Sequence, residues 1–237
     1  MIEKDKEYWL NNPVFIKFKD RFDFSRMQRV RELKKVFVNE RIIEIPFAIR
    51  GLSQLNERAR VLDLGCSESL LPLYLSSLGF RVTGLDFRAF PYPAANFEFV
   101  RGDILSMPFE DGKFDAVTCV STLEHLGLGF YADPKEEQAT DGKAVQEISR
   151  VLKNNGRLIL SVPYGKAFQG EHQRIYDDQR LTVLLKGYRI ERKKYFAKAF
   201  VQGSRSNYWK ETPGTEAGRI DSGGKTECVC CIEAVRS

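Results

Sequence analysis

Three aspartates stand where short apolar runs of the sequence end. Asp63 lies in the run from Val61 to Leu64, Asp86 closes the next run 23 positions later, and Asp103 follows a third run. The carboxyl ends of neighbouring parallel strands meet at one edge of a sheet. Rossmann-like folds place an acid on a ribose diol after the second strand, and an acid after the third can accept from an adenine amine. The spacing therefore predicts a site for an adenosine-like ligand.

The first apolar run passes directly into a turn of small residues, Gly65-Cys66-Ser67, which opens a helical pattern. Such a turn brings backbone N–H groups and a helix N-terminus to one point, and both favour an anionic or carboxylate-bearing ligand. Serine at positions 67 and 69 is small enough for the backbone to approach that ligand closely. The turn is therefore the second part of the predicted site.

The chain has two histidines, and each follows an apolar run. His125 stands directly after Glu124 behind the fourth run, and the ordinary pKa of histidine, near ~6.5, suits it to take a proton from a hydroxyl. It could equally pin its loop by hydrogen bonds. His172 lies with Arg174 and Tyr176 in a loop after the fifth run, where it either binds a polar substrate or belongs to a surface loop.

Short apolar runs alternate with helical patterns from Arg60 onward, which is typical of βα units that form a parallel sheet. The last two runs are separated by a long glycine-rich loop without a helix, so this pair is predicted to be antiparallel. The helix after the first strand is predicted to turn Leu70, Leu71, Tyr74, Leu75 and Leu78 inward. The predicted strands span 60–64, 80–85, 97–101, 114–120, 157–162, about 189–199 and about 228–234.

Residues 1–57 differ in character from the rest, because aromatic side chains are scattered among many charges. A capping box at Ser25 begins one predicted helix, and Pro46 at a first-turn position begins another that reaches about Leu55. We predict a helical extension over 1–57 and an α/β domain over 58–237. The extension could cover a cleft as a lid, form an oligomer contact or pack as core.

The segments around the predicted site resemble the class I S-adenosylmethionine (SAM) dependent methyltransferases. The resemblance covers about residues 58–165 and implies a Rossmann-like seven-stranded sheet of order 3-2-1-4-5-7-6, with strand 7 antiparallel. The order and spacing of five motifs carry it: VLDLGC, TGLDF, VRGDILSMPFEDGKFDAV, STLEHLGLG and ISRVLKNNGRLILSVP.

The same resemblance implies SAM as the cofactor and a role for each matching position. Four residues would surround the methionine moiety: Asp63, Gly65, Cys66 and Ser67. Asp86 would hold the ribose, Phe87 would pack on the adenine, Asp103 with Ile104 would contact the adenine edge, and Ser121 would face the sulfonium. An NAD-dependent dehydrogenase is disfavoured, because its G-x-G-x-x-G turn needs glycine where Ser67 and Leu70 stand.

Composition limits the partners. The formal net charge is +5, and the segment from Lys186 to Lys210 holds eight Lys/Arg and one acid, Glu191. This basic strip could bind an anionic or sugar-like acceptor, or it could be a solvated strand edge. Nothing resembles a membrane span or a secretory signal, so we expect a soluble, cytoplasmic protein. The five cysteines lack zinc-site spacing, so we expect reduced thiols and no metal site.

The predicted activity is methyl transfer from SAM to a small polar acceptor, with a sugar or sugar-nucleotide hydroxyl as the first candidate. The segment from Leu123 to Pro134 also resembles methyltransferase-like proteins of cell-surface polysaccharide synthesis, which favours O-methylation of a sugar. A non-catalytic scaffold, a nucleic-acid methyltransferase and a small-phenol methyltransferase are the alternatives. Val120-Ser121-Thr122-Leu123 replaces the [DN]-P-P-[YF] stretch of adenine-N6 enzymes, so nucleic acid is the less favoured acceptor.

Overall fold

An eight-stranded sheet organises the chain in the computed structural model, which describes residues 38–92, 94–129, 140–203 and 207–237. The described residues from Asn39 onward belong to one compact unit. The helix predicted after Ser25 lies outside the described residues. The strands are β1 (Arg60–Leu64), β2 (Arg81–Asp86), β3 (Phe97–Arg101), β4 (Phe114–Val120), β5 (Leu152–Pro163), β6 (Phe168–Gln169), β7 (Arg174–Ile175), β8 (Tyr188–Phe200), β9 (Asn207–Thr212) and β10 (Cys228–Arg236).

The helices lie between the strands in chain order. They are α1 (Arg41–Leu52), α2 (Leu71–Ser77), α3 (Thr140–Val151), α4 (Asp178–Leu184) and the single turn α5 (Gly214–Ala217). Within the described ranges, no helix combines the length and apolar character needed to cross a membrane.

The strand order is β3-β2-β1-β4-β5-β10-β8-β9. β1 to β5 pair in parallel, and β10 runs antiparallel between β5 and β8. The order 3-2-1-4-5-7-6 and its antiparallel seventh strand are therefore confirmed, because β8 and β10 are the sixth and seventh strands of that scheme. β6 and β7 form a separate two-stranded ribbon.

The prediction of seven strands misses the two strands of the β6-β7 ribbon and one strand of the main sheet, because β9 pairs antiparallel with β8 at the edge of that sheet. It lies in the segment that we predicted to be a loop, and α5 follows it there. The glycines of this segment hid a short strand in which Trp209 is buried between the exposed Tyr208 and Lys210. That alternation is typical of an edge strand with one covered face.

Helix α1 begins five residues before the predicted start, so Pro46 lies inside the helix. The proline has no N–H for the bond to the carbonyl of the fourth residue before it, and the helix continues on its remaining bonds. The earlier start places Arg41 and Glu44 in the first turn, and Glu44 is buried. Helix α1 packs on β4, β5 and β10 of the sheet. The boundary at residue 57 between extension and domain stays a prediction.

Helix α2 turns only part of its predicted apolar face inward. Leu71 and Leu75 are fully buried, whereas Leu70, Tyr74 and Leu78 are 47%, 46% and 51% exposed. Both sets recur every four residues, so each forms a stripe along one side of a helix. Spacing alone could not distinguish the stripe that contacts the sheet from the one that faces outward.

The five cysteines are all buried and unpaired, and burial raises the pKa of each thiol. Cys230 and Cys231 are neighbours in β10 and therefore point to opposite faces of the sheet. Strands buried on both faces have near-continuous apolar sequences, which explains the run of buried residues in β10.

We expect Leu75→Ala to lower the free energy of unfolding by about 2 to 5 kcal/mol, because it leaves a cavity beneath α2. The matched change Leu78→Ala should cost less than about 0.5 kcal/mol, because that side chain is half exposed. Urea unfolding of both variants measures the difference. Equal losses would contradict the assignment of the two stripes.

Candidate functional site

A cavity of about 290 Å³ opens at the carboxyl ends of the first strands of the sheet. This volume is close to the lower end of the range for small-molecule sites, about 300 to 1,000 Å³. Seven of the predicted site residues line it: Gly65, Asp86, Phe87, Asp103, Ile104, Ser121 and His125. Four lie outside its lining: Asp63, Cys66, Ser67 and His172.

The turn after β1 requires glycine at its first position. Gly65 has a φ of 71°, and a Cβ there would stand 2.2 Å from Oγ1 of Thr122. Cys66 to Glu68 then form a 3-10 turn, and Ser69 follows it with a φ of −124°. Neither Ser67 nor Ser69 has a positive φ. Both serines therefore lack the backbone strain that a positive φ would impose on a residue with a side chain.

Asp86 joins this turn to the end of β2. Its Oδ2 accepts a hydrogen bond from the backbone N–H of Ser67 at 2.9 Å, and its Oδ1 accepts from that of Arg88 at 2.8 Å. Asp103 accepts from the N–H of Leu105 at 2.8 Å and so caps the 3-10 turn behind β3. Each carboxylate oxygen can accept more than one bond, so both residues can still receive hydroxyl or amine donors from a ligand.

Asp63 lies behind the cavity. Oγ1 of Thr118 donates a hydrogen bond to its Oδ1 at 2.5 Å, while Oδ2 has no hydrogen-bond partner among the described residues. Burial raises the pKa of this carboxyl to about 7. Asp63 is therefore tied to β4 and stands outside the cavity lining.

The sequence did not single out Arg41 and Glu44 of α1, which reach the end of β4. Nη1 of Arg41 donates to the carbonyl of Val120 at 3.0 Å and to Oε2 of Glu44 at 3.2 Å. Oγ of Ser121 donates to Oε1 of Glu44 at 2.6 Å. Burial raises the pKa of Glu44. The pattern R-x-x-E was the available signal, and it was missed because the predicted helix began at Pro46.

Glu124 is a second buried acid in the cavity wall. It is 1% exposed, and its Oε2 has no hydrogen-bond partner within the described part of the chain. Burial is the main cause that raises its pKa to about 8. The sequence identified the pair Glu124-His125 but assigned the chemistry to the histidine alone.

His125 is oriented by the ribbon of β6 and β7. Its Nδ1 lies 2.6 Å from the backbone carbonyl of His172. A carbonyl oxygen only accepts, so we assign the proton to Nδ1, which leaves the lone pair of the neutral ring on Nε2. His172 thus contributes its backbone to this arrangement, and its side chain lies outside the cavity lining.

The loop that carries Glu124 and His125 is held by a buried arginine. Nη1 of Arg174 donates to the carbonyls of Leu126 at 2.7 Å and of Glu124 at 3.4 Å. Its Nη2 donates to Oγ1 of Thr140 at 3.0 Å. The ribbon, α3 and the loop are therefore tied together.

The described residues contain no group of three or more His, Cys, Asp or Glu that could hold a metal ion.

Comparisons with known proteins agree with this geometry. Residues 62–160 match the family model described as a methyltransferase domain. The ubiquinone biosynthesis O-methyltransferase of Colwellia psychrerythraea is 24% identical over 152 residues, which cover 59% of this chain and 55% of that protein. Its counterpart from Xanthomonas oryzae pv. oryzae is 34% identical over 113 residues, which cover 44% and 42%. The chain thus spans about half the length of these curated relatives.

Solved structures show the same fold. The 1,6-didemethyltoxoflavin-N1-methyltransferase of Burkholderia thailandensis, solved with its substrate and S-adenosylhomocysteine, has a TM-score of 0.58 at 16% identity over 82% of this chain and 79% of that one. The strand order, the glycine turn after β1 and the acid after β2 define the class I methyltransferase fold. The family match runs from β1 into β5, so this part of the chain is similar to a methyltransferase domain.

The raised pKa of Asp63 predicts a pH-dependent stability. The folded state favours the protonated carboxyl, so its contribution to stability is complete below pH ~4 and is lost as the pH rises towards 7. Asp63→Asn has no such loss. Its unfolding free energy relative to the parent should therefore rise between pH 5 and 7, by at most about 1.4 kcal/mol per pH unit, and level off by pH 8. Urea unfolding at each pH measures this difference, and a constant difference would contradict the assignment.

Proposed function

We propose that the protein transfers a methyl group from SAM to the hydroxyl of a small, uncharged acceptor. The observation that carries this proposal is the meeting of Gly65, Asp86 and Asp103 at one cavity beyond the ends of β1, β2 and β3. The family match over residues 62–160 supports the activity.

The cavity fits an adenosine derivative with an amino-acid tail. Gly65 lets the turn pass directly against Thr122 at the cavity, Asp86 and Asp103 offer acceptors for a ribose and an adenine amine, and Phe87 offers an aromatic surface. Arg41 supplies a guanidinium for the tail carboxylate, because only its Nη1 is engaged by the hydrogen bonds described above. When bound, SAM supplies an activated methyl group on its sulfonium.

His125 is the candidate general base. Donation from Nδ1 to the carbonyl of His172 orients the ring, and Nε2 is the ring atom to which we assign the acceptor's proton. The same bond also pins the loop, so both roles predicted for this histidine are served by one arrangement. Positioning of the acceptor contributes about 7 to 11 kcal/mol in well-oriented reactions, more than a base supplies.

The charges around the cavity favour an uncharged acceptor over the anionic one suggested by the basic strip. Two arginines line the cavity, Arg41 and Arg88, against four acids besides the mainly neutral Glu124: Glu40, Glu68, Asp86 and Asp103. Such a lining repels a phosphorylated acceptor.

The basic strip itself is largely neutralised by ion pairs, and none of its residues lines the cavity. Four of its cations pair with acids from other segments: Arg192 with Glu233, Lys193 with Asp178, Lys194 with Glu211 and Lys198 with Glu227. The similarity to ubiquinone biosynthesis O-methyltransferases favours a quinone-like phenol as much as a sugar hydroxyl. The cytoplasmic location stays a prediction.

Calorimetry with S-adenosylhomocysteine and with methylthioadenosine, which lacks the amino-acid tail, tests the cofactor site. We expect the parent protein to bind both. Arg41→Met should weaken S-adenosylhomocysteine at least about tenfold, because a charge-assisted bond is lost, and should leave methylthioadenosine within about threefold. The affinity of Arg41→Lys for S-adenosylhomocysteine should fall between those of the parent and of Arg41→Met. A folded parent that binds neither ligand would contradict the proposed function.

Turnover with labelled SAM over sugars, nucleotides and small phenols then tests the acceptor. With the best acceptor, His125→Ala should lower kcat by about 10² to 10⁴ and leave the affinity for S-adenosylhomocysteine unchanged. His172→Ala keeps the carbonyl that holds Nδ1, so its loss should be at least about tenfold smaller. Full turnover by His125→Ala would exclude His125 as the general base and leave it only the role of holding its loop.

A further inference from the structure

The carboxyl of Glu124 is buried in the cavity wall without a donor for one of its oxygens. Its Oε1 lies 3.8 Å from Nε2 of His125, and its Oε2 has no hydrogen-bond partner in the ranges that the structure describes. A buried polar atom without a partner costs free energy, and a bound ligand is one way to satisfy it. This oxygen is therefore a candidate acceptor for a ligand donor.

Charged and titratable groups from four segments surround this carboxyl. Arg41, Glu44 and Glu40 approach from α1 and the residue before it. Cys119 of β4, His125 of the same loop and Tyr176 after β7 also face it, and Arg174 of β7 donates to the backbone carbonyl of Glu124. Arg41 and Arg174 are the permanent positive charges, because arginine stays protonated in proteins, and of these two Arg41 lines the cavity.

The cofactor tail carries its carboxylate and its ammonium on the same carbon atom. A carboxylate held by Arg41 therefore brings an ammonium close to the acids around that arginine. Both oxygens of Glu44 already accept bonds, from Ser121 and Arg41, and Asp63 lies outside the cavity lining. Glu124 lines the cavity and keeps one oxygen without a partner within the described residues.

We propose that Glu124 receives the ammonium group of the cofactor's amino-acid tail and releases its own proton to solvent as the cofactor binds. This inference rests on the proposed function, because it takes the tail to lie beside Arg41. No bond other than O–H of the Glu124 carboxyl breaks. The neutral acid becomes a carboxylate. The ammonium keeps its three protons and donates a hydrogen bond to the carboxylate that has lost its own proton.

The proposal gives binding a pH dependence of known sign. Burial raises the pKa of Glu124 to about 8, so the acid is mainly neutral at pH 6 to 7 without ligand. Binding that requires the carboxylate then strengthens by up to about tenfold per pH unit as the pH rises to 8, and one proton is released per ligand below that pH. A ligand without the tail shows neither effect.

Calorimetry of the full chain at pH 6.5, in two buffers of different ionisation enthalpy, measures the released proton directly. We expect close to one proton for S-adenosylhomocysteine and none for methylthioadenosine. Glu124→Gln should abolish the release and flatten the affinity between pH 6 and 8, while it still binds methylthioadenosine as the parent does. Asp63→Asn tests the competing acid, because Oδ2 of Asp63 also has no hydrogen-bond partner among the described residues, and we expect this variant to keep the release.

The outcomes separate this inference from the proposed function. Binding of S-adenosylhomocysteine without proton release, or equal proton release by Glu124→Gln and the parent, would show that Glu124 does not receive the ammonium. Either result would leave the proposed cofactor site intact. Loss of the release in Asp63→Asn, with the release intact in Glu124→Gln, would assign it to Asp63. If neither ligand binds to the parent, the proposed function itself fails.

Discussion

The hydrogen bonds accepted by Asp86 are the constraint on which the candidate site depends. They join the turn after β1 to the chain that leaves β2, so two neighbouring strand ends are held at a fixed separation. Gly65 can then pass close to Thr122 beyond β4 without a side chain between them. One carboxylate and one missing Cβ thus define the floor of the cavity, and the remaining wall residues are added from α1 and from the loop after β4.

Electrostatics at this floor are unusual for a cavity that is proposed to bind a cation. The pKa values of Glu44, Asp63 and Glu124 are raised by burial, so these acids carry less negative charge than their number suggests. Arg41 lies among them as a fixed positive charge. A zwitterionic tail would complement this arrangement, because each of its two charges would meet a group of opposite or adjustable charge. The arrangement is therefore suited to a ligand with both charges and poorly suited to a bare phosphate.

The apolar runs of the sequence predicted both ends of β1, β3 and β4, and the carboxyl ends of parallel strands are adjacent by topology. The strand order came from the resemblance to the class I methyltransferases. The sequence could not place α1, since Pro46 is compatible with both a first turn and a helix interior. It could not distinguish the two stripes of α2, which have the same spacing. The sequence could not single out Glu124 for a different reason. The role proposed for Glu124 depends on its burial, and that burial arises only when the ribbon of β6 and β7, α3 and α1 pack around the loop that carries it.

The added strand β9 has a consequence for the behaviour of the protein at high concentration. An open sheet edge exposes unpaired backbone groups that can recruit the edge of another molecule. β9 occupies that edge with only six residues, and its exposed positions include Lys210 and Glu211. Charged side chains of this kind hinder pairing with the sheet edge of another copy. We therefore expect β9 to limit self-association of the sheet.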